Sequence, residues 1–287
     1  MPELPEVETV RRGLDPVLSG ARLSDVRLHR ANLRYAFPKD FIKRLNGATV
    51  IKLERRAKYL LAWLDTQDVW VTHLGMTGRF HIDASAEALG AYHHTVKPED
   101  KHLHFQVLAT RDGQTARIDF YDPRRFGFML LLSPQELYTA SWYQSLGVEP
   151  LSDALTPAYL LERADGRAAN LKALLMAQAG IAGLGNIYVC EALWRARLDP
   201  ARAAKTLKKK EATALVEAIK SVLAEAVEAG GSSISDFANA TGDLGYFQHR
   251  FCVYDREGEP CKHDDGGIIQ RIVQQGRSTF FCRKCQR

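Results

Sequence analysis

Near residue 134 the pattern of the chain changes, and this change limits the fold more than any other feature. From about residue 22 to 132, apolar residues come in short runs broken by turn residues, at 49–53, 59–64, 69–72, 104–108 and 116–120. Runs of that length and spacing predict an all-β sandwich or barrel. After Pro134 and Pro150 the spacing turns helical, near 156–164, 168–178, 186–196 and 206–229, and Gly230-Gly231 suits the end of the last helix. The final forty residues return to strand-like runs flanked by cysteines. Strands first and helices second make the fold class α+β. Residues 84–102 read as an exposed excursion between strands, and residues 232–248 as a long loop of the kind that is functional or disordered.

A length of 287 residues suits about two domains. Hydrophobic content of 46% and charged content of 25% place the chain among soluble globular proteins. The net charge of +5 permits an anionic partner without requiring one. No apolar run is long enough to span a membrane, and the N-terminus lacks the charged-then-apolar order of a signal peptide, so a cytoplasmic protein is expected. Five cysteines, an odd number and mostly late in the chain, argue against a disulfide framework.

Leu4, Val7 and Val10 recur at helical spacing with Gly13 just beyond, which predicts a short helix over residues 4–12 that anchors the N-terminus. Pro2 precedes it. A small second residue favours removal of the initiator Met, which would leave proline as a free secondary amine. Such an amine attacks an aldehyde-level carbon to form an iminium, and its basicity lies well below that of lysine. Glu3 and Glu6 stand beside it, each able to move protons. Taken alone, Pro2 reads equally as an ordinary residue after Met1.

Three further motifs carry chemistry. Cys282-Arg283-Lys284-Cys285 is a CxxC, and Cys261 lies upstream with His263 and Asp264 close behind. Two strands joined by a turn bring such pairs to tetrahedral spacing, which makes Cys261, His263, Cys282 and Cys285 a Cys3His candidate for one structural zinc ion. Cys190 and Cys252 lack ligand spacing and read as small buried hydrophobes. Gly183-Leu184-Gly185-Asn186 joins two helical segments, and Asn186 suits a cap at a helix start whose amides favour phosphate. His73-Leu74-Gly75-Met76 and Asp122-Pro123-Arg124-Arg125-Phe126-Gly127 are turns after strands. Met76 and Phe126 could wedge between bases, and Arg124 could fill the space of an extruded nucleotide. Hairpin turns with buried Met and Phe are the competing reading. Arg55-Arg56-Ala57-Lys58 adds a phosphate-binding candidate.

Together these motifs resemble the formamidopyrimidine-DNA glycosylase family, which shares its fold with endonuclease VIII. The resemblance spans nearly the whole chain: PELPEVE, RRAKYL, HLGMTGRF, DPRRFG, GLGNIY, GYFQ and the terminal cysteine hairpin. It implies an N-terminal catalytic β-sandwich domain over 1–135 that begins with a catalytic helix. A helix–two-turns–helix DNA-binding domain over 150–242 and a zinc hairpin over 243–287 follow, with DNA across the cleft. It also implies that Pro2 is the nucleophile and Glu3 the acid/base. Lys58, Asn186 and Arg277 would hold phosphates, Met76, Arg124 and Phe126 would fill the gap in the duplex, and His73 would lie on the DNA-facing surface. Glu6 would orient the N-terminus or a water. The loop near 232–248 would cover the flipped base. The implied activity is excision of oxidised purines from damaged double-stranded DNA by a monomer, with β,δ-elimination.

This sequence departs from the family pattern at four places. Ala179 replaces a basic residue near the base, Cys190 stands where Asp is common, Ser235 occupies a position often held by a basic residue, and the metal site lacks its second cysteine and is one residue longer between its halves. Ala179 and Ser235 leave lesion preference open. An oxidised-pyrimidine glycosylase of the endonuclease VIII type is the close alternative, and a non-catalytic DNA-binding zinc protein is the distant one. The presence of both Pro2 and Glu3 argues against the non-catalytic reading.

Overall fold

The computed structural model describes residues 1–84, 100–232 and 246–287. These fall into two compact units, one of 1–144 with 229–246 and the other of 145–228 with 247–287.

In the first unit, helix α1 spans Leu4–Leu18. It is followed by β1 (Arg22–Leu28), α2 (Phe41–Leu45), β2 (Val50–Arg56), β3 (Tyr59–Leu64), β4 (Val69–His73), β5 (Arg79–Ala84), β6 (Leu103–Arg111), β7 (Gln114–Tyr121) and β8 (Phe128–Leu132). Short helices α3 (Pro134–Thr139) and α4 (Ser141–Gln144) close the run. The strands form two antiparallel sheets, ordered β1-β6-β7-β5 and β2-β3-β4-β8. Leu23, Phe105 and Ile118 from one sheet and Leu53, Leu60 and Trp70 from the other share one core. That is the sandwich predicted from alternating short runs.

Helix α1 outlasts its predicted end at residue 12. Gly13 does not stop it, because Leu14 and Leu18 continue the buried face of Val7 and Val10. Each such side chain contributes roughly 1.5–3 kcal/mol by leaving water, more than the roughly 1 kcal/mol that an interior glycine costs. The buried stripe therefore decides the length. It also fixes the axis of the helix that Pro2 precedes, Glu3 caps and Glu6 joins in the first turn.

The second unit contains α5 (Pro157–Ala164), α6 (Leu171–Met176), α7 (Asn186–Arg195) and α8 (Lys209–Glu228), then the antiparallel hairpin of β9 (Ile269–Gln274) and β10 (Arg277–Cys282). Helix α7 is buried nearly all round, from Ile187 to Trp194. Cys190 and Trp194 on it pack with Val253, Cys261, Phe280 and Cys282, so α7 and the hairpin share a core. Cys190 is a buried hydrophobe, as its spacing suggested. Glu191 is fully buried, and its carboxylate accepts the backbone N–H groups of Cys252, Val253 and Tyr254, which fixes the chain entering the hairpin region. Residues 85–99 of the predicted excursion and 233–245 of the predicted loop, including Ser235, lie outside the described residues. Among the described residues, no helix is long and apolar enough to cross a membrane.

Candidate active site and metal centre

Helix α1 begins with a reciprocal cap. Glu3 is the N-cap, and its N–H donates to Glu6 Oε2 at 2.8 Å. Pro2, Glu3 and Glu6 are all buried. The amine of Met1 is less basic than a free terminus. Burial is the largest cause, the carboxylates of Glu3 and Glu6 oppose it, and the charges of Lys58 and Arg124 add to it. Loss of Met1 would leave a secondary amine one residue further on, among the same groups. Lys58 comes from the two-residue turn between β2 and β3, where Arg56 pairs with Tyr59 and Ala57 takes φ +53°. Its neighbour Arg55 is held by Glu8, Nε to Oε2 at 3.2 Å, and by the carbonyl of Ala57, so it belongs to the fold.

Two loops present the wedge candidates as one platform. Pro123, Arg124, Arg125 and Phe126 are exposed in a row, with Met76 half-buried on the other loop. The guanidinium of Arg124 lies 5.0 Å from the centre of the Phe126 ring. Beneath them Asp122 is fully buried. Its Oδ1 accepts the hydroxyl of Thr77 at 2.5 Å and its Oδ2 accepts the N–H of Gly127 at 2.8 Å. The Thr77 oxygen in turn accepts the N–H of Arg124. Gly75, at φ +64°, passes so near the other loop that a Cβ would stand 2.3 Å from the Gly127 nitrogen. Thr77 and Asp122 were missed as site residues by sequence reading. The only signal was an acid directly before a Pro-Arg-Arg turn.

His73 ends β4 with its ring stacked on Phe128, at 5.3 Å between centroids and 10° between planes. Its Nδ1 accepts the N–H of Gly75 at 3.0 Å. Burial first, then the charges of Lys58 and Arg34, push its pKa down to about 4. The neutral ring therefore carries its proton on Nε2, which makes His73 a fixed, uncharged donor.

In the second unit Asn186 does not cap α7. Gly185 is the N-cap and Asn186 is the first helical residue. Its Nδ2 instead donates to the carbonyl of Ser278 at 2.9 Å, next to Arg277 at the exposed start of β10. Its Oδ1, the atom a cap would use to accept a helix N–H, is buried and has no hydrogen-bond partner among the described residues. The buried amine of Lys172 donates to the same carbonyl at 3.0 Å and to the Thr279 hydroxyl at 2.6 Å. One N–H of the Asn186 amide is thus committed to the hairpin, and its second remains for another acceptor. The preceding turn is organised by Gln178, which accepts the N–H of Gly183 and donates to the carbonyl of Leu184. Ala179 beside it is exposed.

Three of the four expected metal ligands meet. Sγ of Cys261, Cys282 and Cys285 lie within 4.8 Å of one another and of a carboxylate oxygen of Asp265. His263, expected as the fourth ligand, is not in that group. Its ring lies flat on Trp194 at 4.0 Å, with Nδ1 3.4 Å from Cys285 Sγ. Asp264 takes φ +51° and its N–H bonds the carbonyl of Cys261, a turn after which Asp265 stands with the thiols. Asp265 Oδ1 accepts the N–H of Gly267 at 2.7 Å. Its Oδ2 is buried without a hydrogen-bond partner among the described residues. A buried carboxylate oxygen is costly without a donor or a cation. Three thiols and a carboxylate oxygen fit a tetrahedral divalent metal.

Comparison with known proteins gives a consistent picture. The sequence model of the formamidopyrimidine-DNA glycosylase N-terminal domain matches residues 1–129, and that of the formamidopyrimidine-DNA glycosylase H2TH domain matches residues 146–238. A formamidopyrimidine-DNA glycosylase of Caulobacter vibrioides is 54% identical over 289 residues, covering 100% of both chains. That of Rhizobium leguminosarum bv. trifolii is 47% identical over 301 residues, again with 100% of both covered. The crystal structure of the MutM (Fpg) protein from Thermus thermophilus superposes with a TM-score of 0.84 at 39% identity, covering 99% of this chain and 98% of that one. A Lactococcus lactis Fpg mutant in complex with Fapy-dG-containing DNA superposes with a TM-score of 0.86 at 30% identity and 100% coverage of each.

Proposed function

The chain belongs to the formamidopyrimidine-DNA glycosylase family, and from that premise we propose that it is a bifunctional DNA glycosylase and abasic-site lyase of base excision repair. Its substrates are oxidised purines, 8-oxoguanine and formamidopyrimidines, in damaged double-stranded DNA. One observation supports this most: Pro2, Glu3 and Glu6 are buried together at the start of α1, where burial and the charges of Lys58 and Arg124 lower the basicity of the neighbouring Met1 amine. The names of the relatives, and the DNA held by one of them, support the substrate class.

The reaction begins as the enzyme bends the duplex and extrudes the damaged nucleotide, at a cost of a few kcal/mol in lost stacking. Met76, Arg124 and Phe126 take the vacated space. Lys58, Asn186 and Arg277 hold the flanking phosphates, and His73 contributes an uncharged N–H. With Met1 removed, the Pro2 nitrogen attacks C1′ with its lone pair. The glycosidic bond breaks and the base leaves with that bonding pair, taking up a proton. Glu3 protonates the sugar oxygen as the ring opens to the iminium, and Glu6 orients the N-terminus. The iminium acidifies C2′, so loss of a proton there expels the 3′ phosphate, and a second elimination expels the 5′ phosphate. Cys261, Asp265, Cys282 and Cys285 would hold one zinc ion, whose chemistry here is to cross-link the hairpin that presents Arg277. The protein acts as a monomer in the cytoplasm.

Borohydride trapping on an 8-oxoguanine:C duplex tests the reading. Wild type should form a covalent adduct, Pro2→Gly should form far less, and both ends of the gap should carry phosphate. DNA binding without any adduct would overturn the catalytic reading, and an adduct undiminished in the Pro2 variant would move the nucleophile elsewhere. Because Ala179 offers no cation near the base, the same assay on oxidised-pyrimidine duplexes separates the purine reading from the endonuclease VIII type.

A further inference from the structure

A cavity of about 590 Å³ opens beside Met1, and two arginines on its wall, Arg34 and Arg125, have no part in the mechanism above. Arg34, Arg124 and Arg125 all reach its wall, and no Asp or Glu lines it. Other arginines of the unit are neutralised where they stand. Arg27, Arg44, Arg55 and Arg117 each have a carboxylate partner, on Asp25, Asp68, Glu8 and Asp83 respectively. Arg34 is exposed and has no ion-pair partner among the described residues. Its charge is close enough to help keep His73 neutral. Like charges gathered in one concavity raise a positive potential that a polyanion relieves.

Arg34 is also held in register with the wedge. Leu33 is buried as an anchor, and Asn32 bridges to Ala36 across the turn. The backbone N–H of Arg34 donates to the carbonyl of Gly127 at 3.0 Å. That carbonyl ends the loop bearing Arg124 and Phe126. The guanidinium stands 5.5 Å from the ring of Tyr35, which meets Phe128 edge-on at 5.2 Å. Main-chain bonding and aromatic contacts thus fix the residue, while its charge has no ion-pair partner among the described residues.

We propose that Arg34 is a further phosphate contact of the DNA duplex, tied through Gly127 to the loop that fills the gap left by the damaged nucleotide. The inference rests on the DNA reading above. A phosphate contact has a signature that base readout lacks. It weakens binding uniformly across sequences and lowers the slope of log K against log salt by about 1 when removed.

The experiment measures Kd of wild type and variants for a duplex with a tetrahydrofuran abasic analogue, from 50 to 200 mM KCl, with C or A opposite. For Arg34→Gln the slope should fall by about 1, so wild-type Kd should rise roughly 3-fold more than the variant's over that range. The effect should be equal for both opposite bases. Arg34→Lys should restore the slope, which separates lost charge from lost folding. Arg27→Gln, which removes a paired arginine elsewhere on the unit, should leave it unchanged. An unchanged slope in Arg34→Gln overturns the inference, as does a loss confined to one opposite base. Wild type that fails to bind the duplex overturns the DNA reading, and this inference with it.

Discussion

Glu6 and Ser232 are joined by two hydrogen bonds across 226 positions of sequence: Oε1 of Glu6 accepts both the N–H and the hydroxyl of Ser232, each at 2.9 Å. The other oxygen accepts the N–H of Glu3. Gly231, at φ +77°, lets the returning chain approach, since a Cβ there would stand 3.2 Å from the Glu6 side chain. One carboxylate thus ties the cap of the first helix to the point at which residues 233–245 begin.

Replacing Glu6 by Gln should be costly despite equal size. An amide has one acceptor oxygen, so an NH2 would face the N–H of Glu3 or of Ser232. We expect a loss of about 1–3 kcal/mol, the usual effect of leaving a buried donor unmatched. The urea midpoint should fall and borohydride trapping should slow. A variant with the wild-type midpoint would show that the carboxylate pairing does not hold the N-terminus.

Asp122 should matter for the wedge although it is fully buried beneath it. Asp122→Ala leaves the Gly127 N–H and the Thr77 hydroxyl without their acceptor. The expected cost is about 2–5 kcal/mol. Lesion duplexes should be bound more weakly, while affinity for a single strand, which has no gap to fill, should change less. Equal losses on both would refute a role in positioning Met76 and Phe126.

His73 sets an acid limit on stability. Its folded pKa, about 4, lies below the ordinary value of 6.5. The unfolded chain therefore takes up the proton first, so the fold loses stability as pH falls from about 6.5 to about 4 and loses nothing from this group above that window. The loss should be on the order of 3 kcal/mol at most, and His73→Gln should remove it. Nitrogen NMR should find the ring neutral at pH 6 with its proton on Nε2. An imidazolium signal at that pH would overturn the assignment.

The metal centre distinguishes two neighbouring residues. Asp265→Ala should weaken zinc binding by at least about 10-fold, the scale on which even outer-shell partners act. His263→Ala should leave one zinc per chain. Metal content after dialysis against a chelator reads both. Loss of zinc from the His263 variant alone would restore histidine as the ligand. Chelation of wild type should loosen the hairpin and weaken DNA binding.

Much of this architecture is legible in local pattern. The strands over 50–56, 59–64 and 114–121 and the helices over 157–164 and 186–195 lie close to where residue spacing puts them. Spacing reports which face of an element is buried, and burial of that face is what forms the element. Local pattern ends the first helix too early because Gly13 is a strong stop signal, and only the core that receives Leu14 and Leu18 overrides it.

By itself, the sequence determined the succession of strands, helices and cysteine hairpin, the reactive candidates at Pro2 and Glu3, and the family. Tertiary structure decided how the pieces are wired. Thr77 and Asp122 meet across 45 positions, Asn186 and Ser278 across 92, and Glu6 and Ser232 across 226. Such pairs leave no periodic trace, because they depend on which elements pack together and not on spacing within one. The fourth proposed metal ligand is the sharpest case. His263 has the better local chemistry, yet after a left-handed turn at Asp264 it is the carboxylate of Asp265 that stands with the three thiols.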